Sequence, residues 1–261
     1  KPADRALARA IASTVLRWLV DLDQLIDSAT ARPLPDDARA RQVLRLALAQ
    51  ALVLETPPHA VIATALPLLE GGPRRLAHAV LSRLFREEAK LPAAPTLPEP
   101  FASRWREQWG DDVADAAARA LASDPPTDLS FAPNTEPPAI EGVSLLPGHL
   151  RVMQRGRIEG WEGFAGGQWW VQDLAASLPV RLLGAKLNQH VVDLCAAPGG
   201  KTMQLASQGV HVMAVDVSQS RLARLRDNLA RTGLSAKLVT ADATTWQPKR
   251  PPNHVLLDAP C

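Results

Sequence analysis

The chain has 261 residues, enough for one large domain or two modest ones, and 46% of them are hydrophobic. With 21% charged residues, this composition allows a packed core and excludes a wholly disordered chain. The formal net charge of +2 is compatible with nucleic acid without demanding it, because RNA binding needs a local basic face rather than a high total charge.

The two cysteines, Cys195 and Cys261, exclude a disulfide framework and a four-thiolate zinc site. They suit a reducing cytoplasm, which is the predicted location. No run approaches the roughly 20 apolar residues that cross a bilayer, and the six histidines show no ligand spacing, so we expect no membrane partner and no metal. The chain starts without Met and stops directly after a predicted strand, which we interpret as a fragment truncated at its C-terminus.

Amphipathic helices dominate residues 1–92. Apolar residues recur at three- and four-residue steps over residues 6–26, with arginines on the opposite side. Further helices are predicted over residues 36–54, over residues 59–70 and from about Pro73 onward. Short connections between such helices indicate a compact bundle.

The middle of the chain, residues 93–159, is predicted to be a linker and a small mixed subdomain. Proline and alanine dominate residues 91–98, and an amphipathic helix follows over residues 100–123. Residues 124–159 are rich in proline and turn formers, with short strand candidates at 143–146 and 150–154.

Residues 160–261 alternate between strands and helices, which predicts an α/β domain with a parallel sheet. The predicted strands cover residues 191–194, 210–215, 236–239 and 254–257, and the predicted helices cover residues 201–208 and 218–232.

A glycine-containing loop, residues 195–201 and hereafter the glycine loop, joins the first of these strands to the first helix. Gly199 and Gly200 allow positive φ angles and let a ligand approach the backbone. The helix that opens near Lys201 presents free N–H groups to an anion. A Walker A motif does not fit, because its first glycine falls on Cys195, and adjacent glycines do not make a dinucleotide fingerprint. An ordinary glycine turn remains the alternative for the loop alone.

Aspartates follow or end four predicted strands: Asp193, Asp216, Asp242 and Asp258. The carboxyl ends of parallel strands meet at one edge, so these acids are expected to lie together there. Clustered negative charge costs stability unless a ligand compensates it, and a cationic, hydroxyl-rich ligand would do so. Taken singly, each acid is more often a turn residue or helix cap, as Asp216 before Ser218 could be.

The run D-L-C-A-A-P-G-G-K-T at 193–202, together with Asp216, Asp242 and D-A-P-C at 258–261, resembles the RNA cytosine-5 methyltransferases. The layout of nearly the whole chain is similar to the bacterial ribosomal RNA methyltransferases of the Sun/Fmu (RsmB) type. Residues 1–92 resemble the NusB-like helical domain of that family, and the segment around Gln172 resembles the one that precedes its cofactor loop. The resemblance implies an all-α NusB-like bundle ahead of a Rossmann-like methyltransferase domain.

The resemblance also implies S-adenosylmethionine as the cofactor and RNA as the partner. The methionine end of the cofactor would lie on the glycine loop, formed by Cys195, Ala196, Ala197, Pro198, Gly199, Gly200 and Lys201. Asp216 would bind the ribose hydroxyls, Asp242 would lie near the adenine, and Asp258 would stand beside the transferred methyl group and the target base.

The implied reaction needs a thiol, because cytosine C5 is a poor nucleophile until a thiolate adds to C6. In the resembling RNA family this nucleophile is a second cysteine in a Thr-Cys-Ser-like motif, which this sequence lacks. Cys261, in the Pro-Cys dipeptide, would then assist product release. Cys195 lies in the glycine loop, where packing is its predicted role.

Arginines of the first domain are the candidate phosphate contacts, although a solvated helix face explains each of them equally well. The predicted RNA-binding set is Arg5, Arg9, Arg41, Arg45, Arg74, Arg75 and Arg83. The predicted function is methylation of cytosine C5 in small-subunit ribosomal RNA by a monomer. The alternatives are a transfer RNA cytosine-5 methyltransferase and a non-catalytic RNA-binding or antitermination factor with a methyltransferase-like fold.

Overall fold

The computed structural model describes residues 2–133, 135–154 and 156–259. Its contacts divide the chain into two compact units, Lys1–Pro125 and Pro126–Cys261. The sequence-based borders at 92/93 and 159/160 divide the chain by expected role rather than by contacts, and they stay predictions.

The first unit contains helices and no strand within its described residues. A short 3₁₀ turn, Leu66–Leu68, follows the fourth helix. The helices are α1 (Pro2–Arg17), α2 (Leu19–Ser28), α3 (Arg39–Leu52), α4 (Pro58–Ala65), α5 (Gly71–Arg86), α6 (Phe101–Trp109) and α7 (Asp111–Leu121).

The apolar stripes of α2, α3 and α5 form the core of this unit, where Leu22, Leu44 and Leu81 are fully buried. Two predicted helices are each divided in the structure. The chain turns at Trp18, whose buried indole joins the core between α1 and α2. Gly110 adopts a φ of 85° and separates α6 from α7, because an α-helix cannot contain that angle.

The second unit begins with a four-stranded antiparallel sheet of order β2-β3-β1-β4. Its strands are β1 (Thr127–Phe131), β2 (Gly142–Val143), β3 (His149–Val152) and β4 (Trp169–Val171). One face is apolar and carries Leu129, Leu150 and Trp169. The opposite face carries Asp128 and Ser130, which alternate with the apolar residues along β1. Sequence-based prediction missed β1 because this short strand lies in residues 124–159, where proline and turn formers dominate.

A four-stranded parallel sheet follows, with the order β7-β6-β5-β8. Its strands are β5 (His190–Leu194), β6 (His211–Asp216), β7 (Lys237–Thr240) and β8 (His254–Leu257), and all lie within one or two residues of the predicted strands. The helices of this unit are α8 (Leu174–Leu183), α9 (Gly200–Ser207) and α10 (Gln219–Thr232).

The helix boundaries in this unit have local causes. The Asp173 carboxylate accepts from the backbone N–H groups of Ala175 and Ala176 and so caps α8. The Ser218 hydroxyl accepts from the Arg221 N–H and caps α10, which ends at Gly233 with a φ of 65°. Among the described helices, none combines the length and the apolar character needed to cross a membrane.

Candidate functional site

The candidate site lies at the carboxyl edge of the parallel sheet. Because β5 to β8 run in the same direction, their last residues meet there. Asp193 is the fourth residue of β5, and Asp216 is the last residue of β6. Asp258 directly follows β8, and Asp242 stands two residues after β7.

The glycine loop leaves β5 through a tight backbone path. Cys195 has a φ of 58°, and Gly199 has a φ of 108°. The Ala196 N–H donates to the Val215 carbonyl at 3.0 Å, which fixes the start of the loop to β6. The Met203 N–H donates to the Gly199 carbonyl at 2.8 Å, so α9 begins directly at the loop.

Only glycine fits at position 199. A Cβ atom there would lie 2.0 Å from Leu225 Cδ1, inside the core between the loop and α10, and the positive φ is itself unfavourable for other residues. At Gly200 a Cβ would make ordinary contact with the Gln172 side chain. The loop backbone therefore packs closely on one side and faces a cavity on the other.

Asp216 supports the loop from β6. Its side chain is 3% exposed, and its Oδ2 accepts from the Ala197 N–H at 3.1 Å. Its Oδ1 accepts from the Ser218 N–H at 2.9 Å, so the same carboxylate also ties down the chain ahead of α10. Arg221 lies 3.8 Å away and also donates to the Ala197 carbonyl.

Asp193 is a buried acid beneath the loop, only 1% exposed. Burial raises its pKa to about 6, although the Thr202 hydroxyl, which donates to Oδ2 at 2.6 Å, and the nearby Lys201 charge oppose that rise. A carboxyl group with such a pKa changes charge near neutrality when its surroundings change.

Lys201 and Asp258 form the ion pair of the site. The Lys201 ammonium donates to Asp258 Oδ2 at 2.6 Å. The lysine side chain is 15% exposed and the aspartate 61% exposed, so the carboxylate stays accessible while the cation is largely enclosed. This pair joins the first turn of α9 to the end of β8.

A cavity of about 420 Å³ opens between these elements, and we call it the loop cavity. All seven residues of the glycine loop line it, together with Asp193 and Asp258. Five residues that sequence reasoning had not assigned to the site complete its wall: Val171, Gln172, Ala176, Arg221 and Ala259. Asp216 and Asp242 are not among the described residues that line it.

Gln172 contacts the site through well-defined hydrogen bonds, although the sequence analysis had assigned it no role. Its Oε1 accepts from the Trp170 indole N–H at 2.9 Å, and its Nε2 donates to Gln204 Oε1 at 2.8 Å. This chain of hydrogen bonds connects β4 to α9 and fixes the wall opposite Gly200. The nearest sequence signal was its place in the family-like segment before the glycine loop.

Other predicted positions differ in what they can contact. Asp242 is exposed, and hydrogen bonds from the Thr244 hydroxyl and N–H lower its pKa. Cys195 is a free, partly exposed thiol in the loop-cavity wall rather than a buried packing group. The indoles of Trp169 and Trp170 are 0% and 3% exposed, so neither can stack on an RNA base. Cys261 lies outside the described residues.

Five of the predicted RNA-binding arginines have exposed side chains on two helices. Arg5 and Arg9 lie four residues apart on α1, so they share one face of the helix. Arg74, Arg75 and Arg83 lie on α5, and Arg83 pairs with the equally exposed Glu87.

The prediction for Arg41 and Arg45 is corrected by the structure. Arg45 makes two hydrogen bonds to the Asp23 carboxylate, at 2.7 and 2.6 Å, and is 8% exposed. Arg41 is 3% exposed and pairs with Asp23 at 2.9 Å and with Asp27 at 2.5 Å. Although burial works against it, this pairing lowers the Asp23 pKa. Both guanidinium groups are enclosed and neutralised, so they do not face phosphate.

Over the described part of the chain, no three His, Cys, Asp or Glu residues are grouped so as to hold a metal ion.

Two family descriptions match this chain. Residues 1–71 match the NusB family, and residues 180–261 match the 16S rRNA methyltransferase RsmB/F family. The fold is similar to the crystal structure of PH0851, with a TM-score of 0.68 at 22% identity, covering 98% of this chain and 66% of that one. With the parallel sheet, these matches confirm the predicted fold class: a NusB-like helical domain ahead of a Rossmann-like methyltransferase domain.

Curated relatives match over 99% of this chain. Ribosomal RNA small subunit methyltransferase B of Xylella fastidiosa strain Temecula1 is 32% identical, and the chain spans 65% of its length. The protein of the same name from Escherichia coli O127:H6 is 30% identical, and the chain spans 67% of it. This chain belongs to the RsmB/F family of 16S rRNA methyltransferases.

Proposed function

We propose that this chain binds S-adenosylmethionine in the loop cavity and that its protein methylates cytosine C5 in small-subunit ribosomal RNA. The observation that carries the proposal is the glycine loop, whose backbone lines a cavity walled by the Lys201–Asp258 pair. The names of the relatives support ribosomal RNA as the substrate class.

The residues present fit the cofactor on structural grounds. Gly199 and Gly200 line the loop cavity, and the N-terminus of α9 could direct N–H groups towards the carboxylate of the cofactor. Asp193 and Asp258 place two carboxylates in the wall, where they can attract a sulfonium and an ammonium group, and Lys201 and Arg221 in the same wall can attract the carboxylate of the cofactor. Bound there, S-adenosylmethionine supplies an electrophilic methyl group.

Asp216 is proposed as the ribose ligand as well as the loop support. Its oxygens each accept one backbone hydrogen bond, which leaves acceptor capacity for hydroxyl groups. Asp242 is proposed near the adenine, since it is exposed at the same sheet edge and its pKa stays low enough to keep it ionised.

Asp258 is proposed to position the target base. Its accessible carboxylate can accept a hydrogen bond from the cytosine amino group, the one donor on that edge of the base. Lys201 holds the carboxylate in place through their 2.6 Å hydrogen bond. A non-catalytic RNA-binding protein would have no need of this pair at the mouth of the loop cavity.

The covalent chemistry is proposed from the family. A cysteine thiolate adds to C6 and makes C5 nucleophilic, C5 would then take the methyl group with S-adenosylhomocysteine as the leaving group, and removal of the C5 proton expels the thiolate. Cys261 is proposed to assist product release. Arg5, Arg9, Arg74, Arg75 and Arg83 are proposed as phosphate contacts because they are exposed. Action as a monomer in the cytoplasm remains a prediction.

The test is methyl transfer by the full-length protein to 16S ribosomal RNA, read as 5-methylcytidine by nucleoside mass spectrometry. We expect product with the wild type and a loss of about a hundredfold in Lys201→Met, the usual scale for one electrostatic contact. Lys249→Met, which removes the same charge from an exposed position, is the control. Methylated transfer RNA without methylated 16S RNA would contradict the substrate assignment.

A further inference from the structure

A second cavity, about 370 Å³ in volume, lies between the antiparallel sheet and helices α8 and α9. We call it the polar cavity. Gln204, Ser207 and Gln208 line it from the last turns of α9, whereas the glycine loop lies at the start of that helix. Ser130 of β1 and Arg181 of α8 form two further walls. It is therefore separate from the loop cavity.

Ser130 is a buried polar residue at this cavity whose hydroxyl lacks a hydrogen-bond partner among the described residues. It is 2% exposed. Its cross-strand neighbour His149 does not supply a partner, because the fully buried imidazole lies with its Nε2 3.3 Å from Asp128 Oδ2. Buried polar atoms are nearly always paired, so unpaired ones beside a cavity indicate a polar occupant.

Arg181 supplies a positive charge to the same cavity. Its Nη2 donates to the Pro147 carbonyl at 2.7 Å, and its Nε reaches the Ser177 hydroxyl at 3.5 Å. No carboxylate forms an ion pair with it in the part of the chain that the structure describes. These contacts fix the guanidinium group while leaving its charge available to an anion.

The remaining walls favour a flat neutral group over an anion in the interior. Three prolines, Pro133, Pro137 and Pro147, contribute apolar surface, and the C-terminal end of α9 presents carbonyl groups that repel negative charge. A bare phosphate is much smaller than this cavity. A base placed against Ser130 and Gln208, with its phosphate at Arg181, would match the hydrogen-bonding groups of three walls. Proteins recognise RNA sequence mostly through such unstacked bases.

We propose that the polar cavity binds one unpaired ribonucleotide of an RNA strand, with the base inside and the phosphate on Arg181. The inference rests on the proposed function for its RNA partner, but it assigns a contact separate from the nucleotide to be methylated. The polar cavity would help to select the RNA that the protein holds.

The first test is saturation-transfer NMR with the four ribonucleoside 5′-monophosphates, in the presence of excess S-adenosylhomocysteine to occupy the loop cavity. We expect saturation of the base protons of at least one nucleotide. Ser130→Ala should weaken binding about fivefold and Arg181→Gln about tenfold or more, the usual cost of a neutral and a charged hydrogen bond. Arg226→Gln, an equal charge change on the exposed face of α10, should leave binding unchanged.

Ser130→Ala separates recognition from folding. Removing a buried hydroxyl that has no partner leaves stability unchanged or improved, so weaker binding cannot come from unfolding. Equal binding by wild type, Ser130→Ala and Arg181→Gln would overturn the proposal. It would also be overturned if no nucleotide bound, which would mean ordered water only, or if inorganic phosphate displaced the nucleotide at equal concentration.

The second test identifies the source of the nucleotide. A fluorescent single-stranded RNA hexamer should lose affinity in the same two variants and not in the control. Unchanged hexamer affinity beside weakened mononucleotide binding would indicate a free nucleotide and overturn the RNA assignment. S-adenosylmethionine should bind all three variants as it binds the wild type. If S-adenosylmethionine bound neither the wild type nor any of the variants, the proposed function would fail while the nucleotide result would stand.

Discussion

Replacement of Gly199 by alanine tests the geometry of the glycine loop. Two costs add. A side chain at a φ of 108° costs at least the 1–2 kcal/mol that the left-handed region costs an ordinary residue, so about 1–2 kcal/mol is a lower bound. The added methyl would also lie 2.0 Å from Leu225 Cδ1, and overpacking a core costs about 1–3 kcal/mol. We expect a total of about 2–5 kcal/mol.

Gly233→Ala is the matched control. Gly233 also has a positive φ, 65°, but a methyl group there meets nothing within 4 Å. It should therefore cost about 1–2 kcal/mol, the backbone part alone. Hydrogen exchange at β5 and β6 measures the free energy of opening for both variants in the same unit. Equal opening free energies for the two variants would refute the tight packing of the loop on α10.

Three further predictions concern buried charges. Burial raises the Asp128 pKa, but the Arg151 hydrogen bonds prevail and lower it from 3.8 to about 2. Wild-type stability therefore falls by about 2 kcal/mol as the pH drops from 3.8 towards 2, and Asp128→Asn should remove this acid-dependent loss. Asp193→Asn should stabilise the protein by about 3 kcal/mol at pH 8 and little at pH 4. The reason is that a pKa raised to about 6 makes wild-type folding less favourable as the pH rises from 3.8 through 6. Urea titrations at both pH values measure the effect, and an equal stabilisation at pH 4 and pH 8 would contradict the raised pKa. Asp23→Ala should cost about 3–5 kcal/mol in thermal or urea unfolding, because it removes both short hydrogen bonds of the buried Arg45 and leaves Arg41 with Asp27 alone. Glu87→Ala, in an exposed pair, should cost below about 1 kcal/mol, and similar costs for the two variants would show that the Asp23 cluster is not buried as described.

The parallel sheet and the glycine loop were predictable because their signals are local. A strand such as residues 191–194 is an apolar run, and a Gly-Gly pair after it marks the turn into α9. The placement of Asp193, Asp216 and Asp258 at one sheet edge follows from parallel strand direction alone. The sequence was therefore sufficient to predict those strands, helices and turns that depend on residues adjacent along the chain.

The side-chain partners were not predictable because they depend on contacts between distant residues. Arg45 looks like a solvent-facing arginine in sequence, and its burial depends on Asp23, 22 residues earlier. The pairing of Lys201 with Asp258 spans 57 residues. Strand β1 was missed because it is short and lies between prolines, and the burial of Asp128 depends on Arg151, 23 residues later.

Calorimetric titration of the chain with S-adenosylmethionine tests the central claim most directly. We predict binding to the wild type and a weakening of about 10- to 100-fold in Asp216→Asn, equivalent to the roughly 1.5–3 kcal/mol of a hydrogen bond to a charged group. Asp227→Asn, an equal charge change at an exposed position of α10, should bind like the wild type. Absence of binding by folded wild type, or equal weakening by both variants, would contradict a cofactor site at the glycine loop.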